Sequence, residues 1–120
     1  MTWEELRAYC LSLPGAEETF PFGPGAAVFK AANGKMFGVS VTTSEPLDIS
    51  VKCDPDVARA LRAEYVAIVE GYHLNKRHWI TVTLNSDVTD ERVLGLVRDS
   101  YDLVKPRTRR ASPRAPSGAA

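Results

Sequence analysis

The spacing of apolar residues changes from helical to strand-like and back along this chain. Trp3, Leu6, Tyr9, Cys10 and Leu13 fall on one side of a helical wheel. Thr2 followed three residues later by Glu5 is a capping box that marks the helix start. Pro14-Gly15 stops it. Phe20-Pro21-Phe22-Gly23-Pro24-Gly25 is a stiff aromatic loop, too rich in proline and glycine for a central strand. A period of two follows. Val28-Phe29-Lys30 leads into Asn33-Gly34, a hairpin signal whose type I′ turn needs positive φ at both central residues. Lys35 to Val41 is the return strand, with Phe37, Val39 and Val41 predicted on one face. Glu45-Pro46 turns the chain. Leu47, Ile49, Val51 and Cys53 then alternate with Asp48, Ser50 and Lys52, the pattern of a sheet with one face on the core and one toward solvent.

Asp54-Pro55 reads as an N-cap with proline at the first helical position. Val57, Ala58, Leu61 and Tyr65 share one face of that helix, and Arg59 and Arg62 lie on the other. Ile68 to Gly71 is a candidate short strand, and Trp79 to Leu84 a clear one with Ile80, Val82 and Leu84 facing one way. Thr89 caps a last helix. Its apolar stripe is Val93, Leu94, Val97, Tyr101 and Val104, and its solvated side Glu91, Arg98, Asp99 and Asp102. Three amphipathic helices and four or five half-buried strands predict an α+β fold. The arrangement is a two-layer sandwich, an antiparallel sheet with helices on its core face.

Composition narrows the class without naming a function. The chain has 120 residues, 44% hydrophobic and 25% charged, an ordinary balance for one soluble domain. No apolar run approaches the ~20 residues of a membrane helix. The first residues, Met1-Thr2-Trp3-Glu4-Glu5, have no basic segment followed by an apolar one, so the expectation is a cytoplasmic protein without a secretory signal. Cys10 and Cys53 are then expected as thiols. The net charge is +0, but from Lys105 onward there are five basic residues and no acid, which leaves residues 1 to 104 at −5. The boundary is therefore drawn as a folded domain over residues 1–105 and a disordered basic tail, rich in Pro, Ser and Arg, over 106–120. A basic tail can hold polyanions by releasing counterions, or serve only as a solubilising end.

Signatures of catalysis fail one by one. Gly34-Lys35 lacks the flanking residues of a phosphate-binding P-loop, since Phe29 and Met36 stand where glycine and a hydroxyl residue are needed. There is no GxGxxG and no GxSxG. His73 and His78, five apart and without a cysteine pair, do not make a metal site. Cys53 is in phase with Leu47, Ile49 and Val51, the position of a core thiol. No acid–base or nucleophile–base pair is legible, so the expectation is a protein that is not an enzyme and carries no cofactor.

One segment stands apart. Gly71-Tyr72-His73-Leu74-Asn75-Lys76-Arg77-His78-Trp79 gathers two aromatics, two imidazoles, an amide and two fixed cations in nine residues. Lys76 and Arg77 suit phosphate or carboxylate. Asn75 and His78 add donors, and Tyr72 and Trp79 suit stacking on a planar group. The functional reading is an anion-binding or nucleic-acid wing. The alternative is a hairpin loop with solvated charges, in which Tyr72 and Trp79 merely pack. Parity places Trp79 on the outer face with Thr81 and Thr83, and Lys30 and Lys52 there too. The candidate surface is thus Trp79, Lys52, Lys30 and the Lys76-Arg77 turn. In the competing arrangement the Phe20-Pro21-Phe22 loop covers Trp79.

These residues resemble the MmcQ/YjbR family of small bacterial proteins. The matching stretches are Leu13-Pro14-Gly15 with Glu17-Glu18, Pro21-Phe22-Gly23, Phe29-Lys30 and Gly34-Lys35-Met36-Phe37. Lys52-Cys53-Asp54-Pro55, the nine-residue segment 71–79 and Ser100-Tyr101-Asp102-Leu103-Val104 complete them, across all but the tail. The resemblance implies a fold like type III secretion chaperones and frataxin-like (CyaY-like) proteins. It also implies a DNA-binding assignment attached to a double-wing arrangement of strands. Carried over by position, it points to Asn75, Lys76, Arg77, His78 and Trp79, with Lys35 and Lys52 as strand lysines.

The expectation is a non-catalytic DNA-binding module using Lys52, Tyr72, His73, Asn75, Lys76, Arg77, His78 and Trp79. Lys30, Lys35, Arg107, Arg109 and Arg110 are accessory. Two alternatives stand beside it. One is a protein-interaction adaptor, which the −5 body favours; the other is a small-anion site between Tyr72, His73, Arg77 and Trp79. A monomer or homodimer, with no membrane partner, is expected.

Overall fold

A computed structural model describes residues 1–71 and 74–107. The elements are α1 (Trp3–Ser12), β1 (Glu17–Thr19), β2 (Ala26–Lys30), β3 (Met36–Val41), β4 (Asp48–Lys52), α2 (Pro55–Glu64), β5 (Ile68–Glu70), β6 (Trp79–Thr83) and α3 (Asp90–Val104). Six strands form one antiparallel sheet in the order β1-β2-β3-β4-β6-β5. The fold is α+β, with one strand more than expected. The additional strand is β1, three residues just ahead of the proline-rich loop, too short to show an alternation of its own. No helix among the described residues is long and apolar enough to cross a membrane.

Local chemistry sets the helix starts. Thr2 and Glu5 make the reciprocal capping box on α1. Asp54 caps α2 by accepting from the Asp56 N–H, and Thr89 caps α3 by accepting from that of Arg92. The helices pack on one face of the sheet. Phe29, Ile49, Val51, Ile80 and Val82 meet Leu6, Cys10, Leu61, Val93 and Val97 there. A chain of tilted and edge-to-face rings, Trp3–Phe29–Phe37–Tyr101, runs through this core. On α2 the expected stripe shifts. Ala58 and Leu61 are buried and Val57 is exposed, while Arg62 is half-buried, its Nη1 enclosed without a hydrogen-bond partner among the described residues. On α3 Leu96 and Ser100 are buried and Leu94 only half so, because the helix turns its 96–100 side to the sheet.

The predicted face of β3 is corrected by a β-bulge. Lys30 pairs with Met36 but Phe29 pairs with Gly38, so Phe37 has no partner on β2. The extra residue reverses the alternation. Phe37 stays in the core, and Val39 and Val41 turn to the open face with Ser50 and Thr81. The same bend opens the β3–β4 ladder beyond Gly38 and Val51. Ser100 of α3 fills the gap, its hydroxyl accepting from the Lys52 N–H (2.8 Å) and donating to the Phe37 carbonyl (2.6 Å).

The β2–β3 turn also differs from expectation. Gly34 alone takes positive φ, at 82°. The Gly34 N–H donates to the Ala31 carbonyl and the Ala31 N–H to the Lys35 carbonyl. That is a three-residue loop with glycine at the left-handed position rather than a two-residue I′ turn. Asn33 is spared the left-handed conformation and uses its amide elsewhere. Oδ1 accepts from the Lys35 N–H, and Nδ2 donates to the carbonyl of Val104 at 2.8 Å. This bond fastens the end of α3 to the hairpin.

Candidate basic end of the sheet

Register places the proposed residues at one end of the sheet. Lys30 ends β2 and pairs with Met36 at the start of β3, while Lys52 ends β4 and pairs with Trp79 at the start of β6. At ~4.8 Å per strand, the Lys30 and Lys52 backbones stand about 10 Å apart across the sheet. Both lie on the open face, since their neighbours Phe29 and Val51 point into the core. Lys35 is exposed in the β2–β3 turn at the same end. Asn75, Lys76 and Arg77 are exposed in the segment that enters β6, also at this end. The Asn33–Val104 bond brings the end of α3 here, and with it Lys105 and Arg107. Seven of the twelve lysines and arginines of residues 1–107 therefore gather at one end.

Carboxylates neutralise part of this charge. Glu17 stands opposite Lys30 in the β1–β2 register. Lys105 pairs with Asp102 at 3.0 Å and lies 6.0 Å from the Tyr101 ring centroid. Hydrogen bonding from Lys105, aided by Arg98, holds the Asp102 carboxyl below its ordinary range. Among the described residues, Lys35, Lys52, Lys76 and Arg77 make no ion pair. They are available to a ligand, as is the exposed Arg107, which also makes no ion pair among the described residues.

The turn before β6 is built by Asn75. Its Oδ1 accepts from the Arg77 N–H (2.9 Å) and its carbonyl from the His78 N–H (3.1 Å). Its side-chain and backbone carbonyl oxygens thus both shape the turn. The half-buried His78 accepts at its carbonyl from the Cys53 N–H (2.7 Å), extending the β4–β6 ladder by a rung. Trp79 has the outer-face parity expected of it, but it is only 8% exposed and does not present a free stacking surface. Gly71 accounts for part of this. Its N–H bonds the Trp79 carbonyl, and a Cβ at Gly71 would lie 2.6 Å from that of Trp79, so the hairpin stem closes directly on the tryptophan. Tyr72, His73, Arg109, Arg110 and the rest of the tail from 108 to 120 lie outside the described residues. Arg107 is exposed.

Neither thiol is set up as a nucleophile. Burial pushes Cys10 up to about 12 and raises Cys53 as well, with Asp54 adding to the shift at Cys53. The convergence of Lys105 and Arg107 on the hairpin end has no local signal in the sequence. It follows from the packing of α3 on β3 and β4, with the Asn33–Val104 bond, between residues 71 positions apart, fastening its end.

Comparison with known proteins agrees with this architecture. The family model described as YjbR matches residues 11–103. The uncharacterized protein YbdF of Escherichia coli O157:H7 is 36% identical over 101 residues, covering 84% of this chain and 82% of its own. The uncharacterized protein YjbR of Escherichia coli K12 is 34% identical, over 84% of this chain and 85% of its own. The crystal structure of the Deinococcus radiodurans protein DR2400, with a DUF419 domain, superimposes with a TM-score of 0.80 at 42% identity, covering 85% of this chain and 77% of that one. A Pseudomonas syringae crystal structure gives 0.77 at 25% identity, over 88% of this chain and all of the other.

Proposed function

Since the chain belongs to the YjbR family, we propose that it is a non-catalytic DNA-binding protein that grips the phosphate backbone with the basic end of its sheet. The observation that carries this reading is the set Lys35, Lys52, Lys76 and Arg77, without ion pairs among the described residues and drawn together by strand register on a body of net charge −5. On an acidic body a local cationic end orients a polyanion, while the remaining surface repels it. Arg77 suits a bidentate phosphate contact and the lysines suit point contacts. With Trp79 largely covered, base stacking is not the basis of the grip. Contacts are to the backbone, and the reading predicts little sequence preference.

Fluorescence anisotropy of a labelled duplex across a salt series tests this. Four phosphate contacts give a slope of log K against log salt of about −3.6. Replacing Lys76 and Arg77 together with Ala should weaken binding for every sequence and reduce the slope by about 2. Absence of binding by the full chain at low salt overturns the proposal. An unchanged slope in the double variant, with loss of binding on removal of residues 108–120, would place the activity in the tail instead.

A further inference from the structure

The open face of the sheet holds a concavity of about 580 Å³ that runs from the middle of the sheet toward the end away from Lys30 and Lys52. Its floor is Val39 and Val41, which the Phe37 bulge turns outward, with Ser50 and Thr81 beside them. Phe22 from the proline-rich loop and Leu74 from the segment before β6 wall it. An exposed antiparallel face ordinarily carries polar residues. This one carries valines in a hollow, with Phe22 75% exposed at its edge. The volume is that of a small-molecule site.

Asp48 supplies the only charge among the described residues that line the hollow. It opens β4 opposite Thr83, with the outward parity of Ser50 and Lys52. Its carboxylate makes no hydrogen bond or ion pair among the described residues. Ser40 bonds its backbone carbonyl instead, at 2.6 Å. Burial without compensation raises the carboxyl from its ordinary value. Lys52, the cation on the same strand and face, stands four residues away, about 13 Å along the strand, too far to pair with it.

We propose that this hollow binds a small organic amine, with its apolar body on Val39, Val41 and Phe22 and its protonated nitrogen on the Asp48 carboxylate. Charge complementarity selects the cation. A carboxylate or phosphate would meet Asp48 at close range, and a neutral molecule would leave the acid unpaired. The proposal does not depend on DNA binding, although Leu74, which walls the hollow, is in the segment that carries Lys76 and Arg77.

Titration of the ¹⁵N-labelled full chain with phenethylamine, 2-phenylethanol and 3-phenylpropionate tests it. The amine should give saturable shifts at Val39, Val41, Ser50 and Thr81. The alcohol should bind at least about ten-fold more weakly, as a charge-assisted bond is lost, and the carboxylate should not bind. Asp48→Asn should lower amine affinity to that of the alcohol. Phe22→Ala, at an exposed position unable to disturb the core, should weaken amine and alcohol alike. Shifts that fail to saturate, shifts centred on residues 75–79, or equal affinity of amine and alcohol for the unsubstituted chain would overturn the proposal. So would undiminished amine binding in a folded Asp48→Asn variant.

Discussion

Replacing Ser100 with Ala removes one hydroxyl and leaves two backbone groups without partners. In the native chain that hydroxyl stands between the Lys52 N–H and the Phe37 carbonyl, and Ser100 is fully buried. A buried polar group left unmade costs about 1–3 kcal/mol, so two cost about 2–6. Alanine returns at most about 0.5 kcal/mol through its helix propensity. Partial closure of the ladder would offset some of the rest, and a net loss of about 2–4 kcal/mol is expected. For a domain near this size that lowers Tm by about 10–25 °C. The measurement is urea unfolding followed by far-UV circular dichroism, with the slope m unchanged. Ser12→Ala, at an exposed site on α1, is the control and should stay within about 0.5 kcal/mol. Native-state hydrogen exchange adds a local readout, since the Lys52 amide should lose protection before its neighbours. A loss below about 0.5 kcal/mol would refute the reasoning, because it would mean that β3 and β4 pair directly once the hydroxyl is gone.

Two further outcomes follow from the same geometry. Gly71→Ala sets a Cβ 2.6 Å from that of Trp79 and 3.1 Å from its carbonyl oxygen; overpacking of this kind should cost about 1–3 kcal/mol and shift Trp79 fluorescence, and a neutral substitution would mean that the hairpin stem is loose. The Cys10 thiol, pushed up to about 12 by burial, contributes stability that is complete below the unfolded thiol's value of about 8.5 and is lost as pH rises toward 12; Cys10→Ala should flatten the alkaline arm of the pH–stability curve, and native Cys10 should resist thiol reagents until the chain unfolds.

The helix starts were readable in the sequence because capping chemistry is local: Thr2 with Glu5, Asp54 with Pro55, and Thr89 each act within three residues. The alternation of β4 and β6 was readable for the same reason. The bulge at Phe37 was not. It depends on how β2 and β3 align, and Phe37, Val39 and Val41 read as one face to any count of two. Trp79 had the right parity and the wrong exposure, since parity assigns a side of the sheet and says nothing of what closes over it. Asn33-Gly34 marked a hairpin correctly, but the loop closes over three residues with only Gly34 at positive φ, while the Asn33 amide bonds Val104, far away in the chain. The lysines were identifiable singly. Their assembly at one end comes from register, which no single segment encodes.

The unpaired residue in β3 acts on the molecule as a change of reading frame acts on a message. Upstream of it the strand serves the interior; downstream, every side chain swaps allegiance. Such a step is all-or-none. Excising Phe37 would join Met36 directly to Gly38 in regular pairing, so the core would lose a ring while Val39 and Val41 stayed outward. The hollow would vanish only if β3 slid one residue against β2, pairing Phe37 with Phe29 and Val39 with Ala27, so it is kept or lost with the register as a unit.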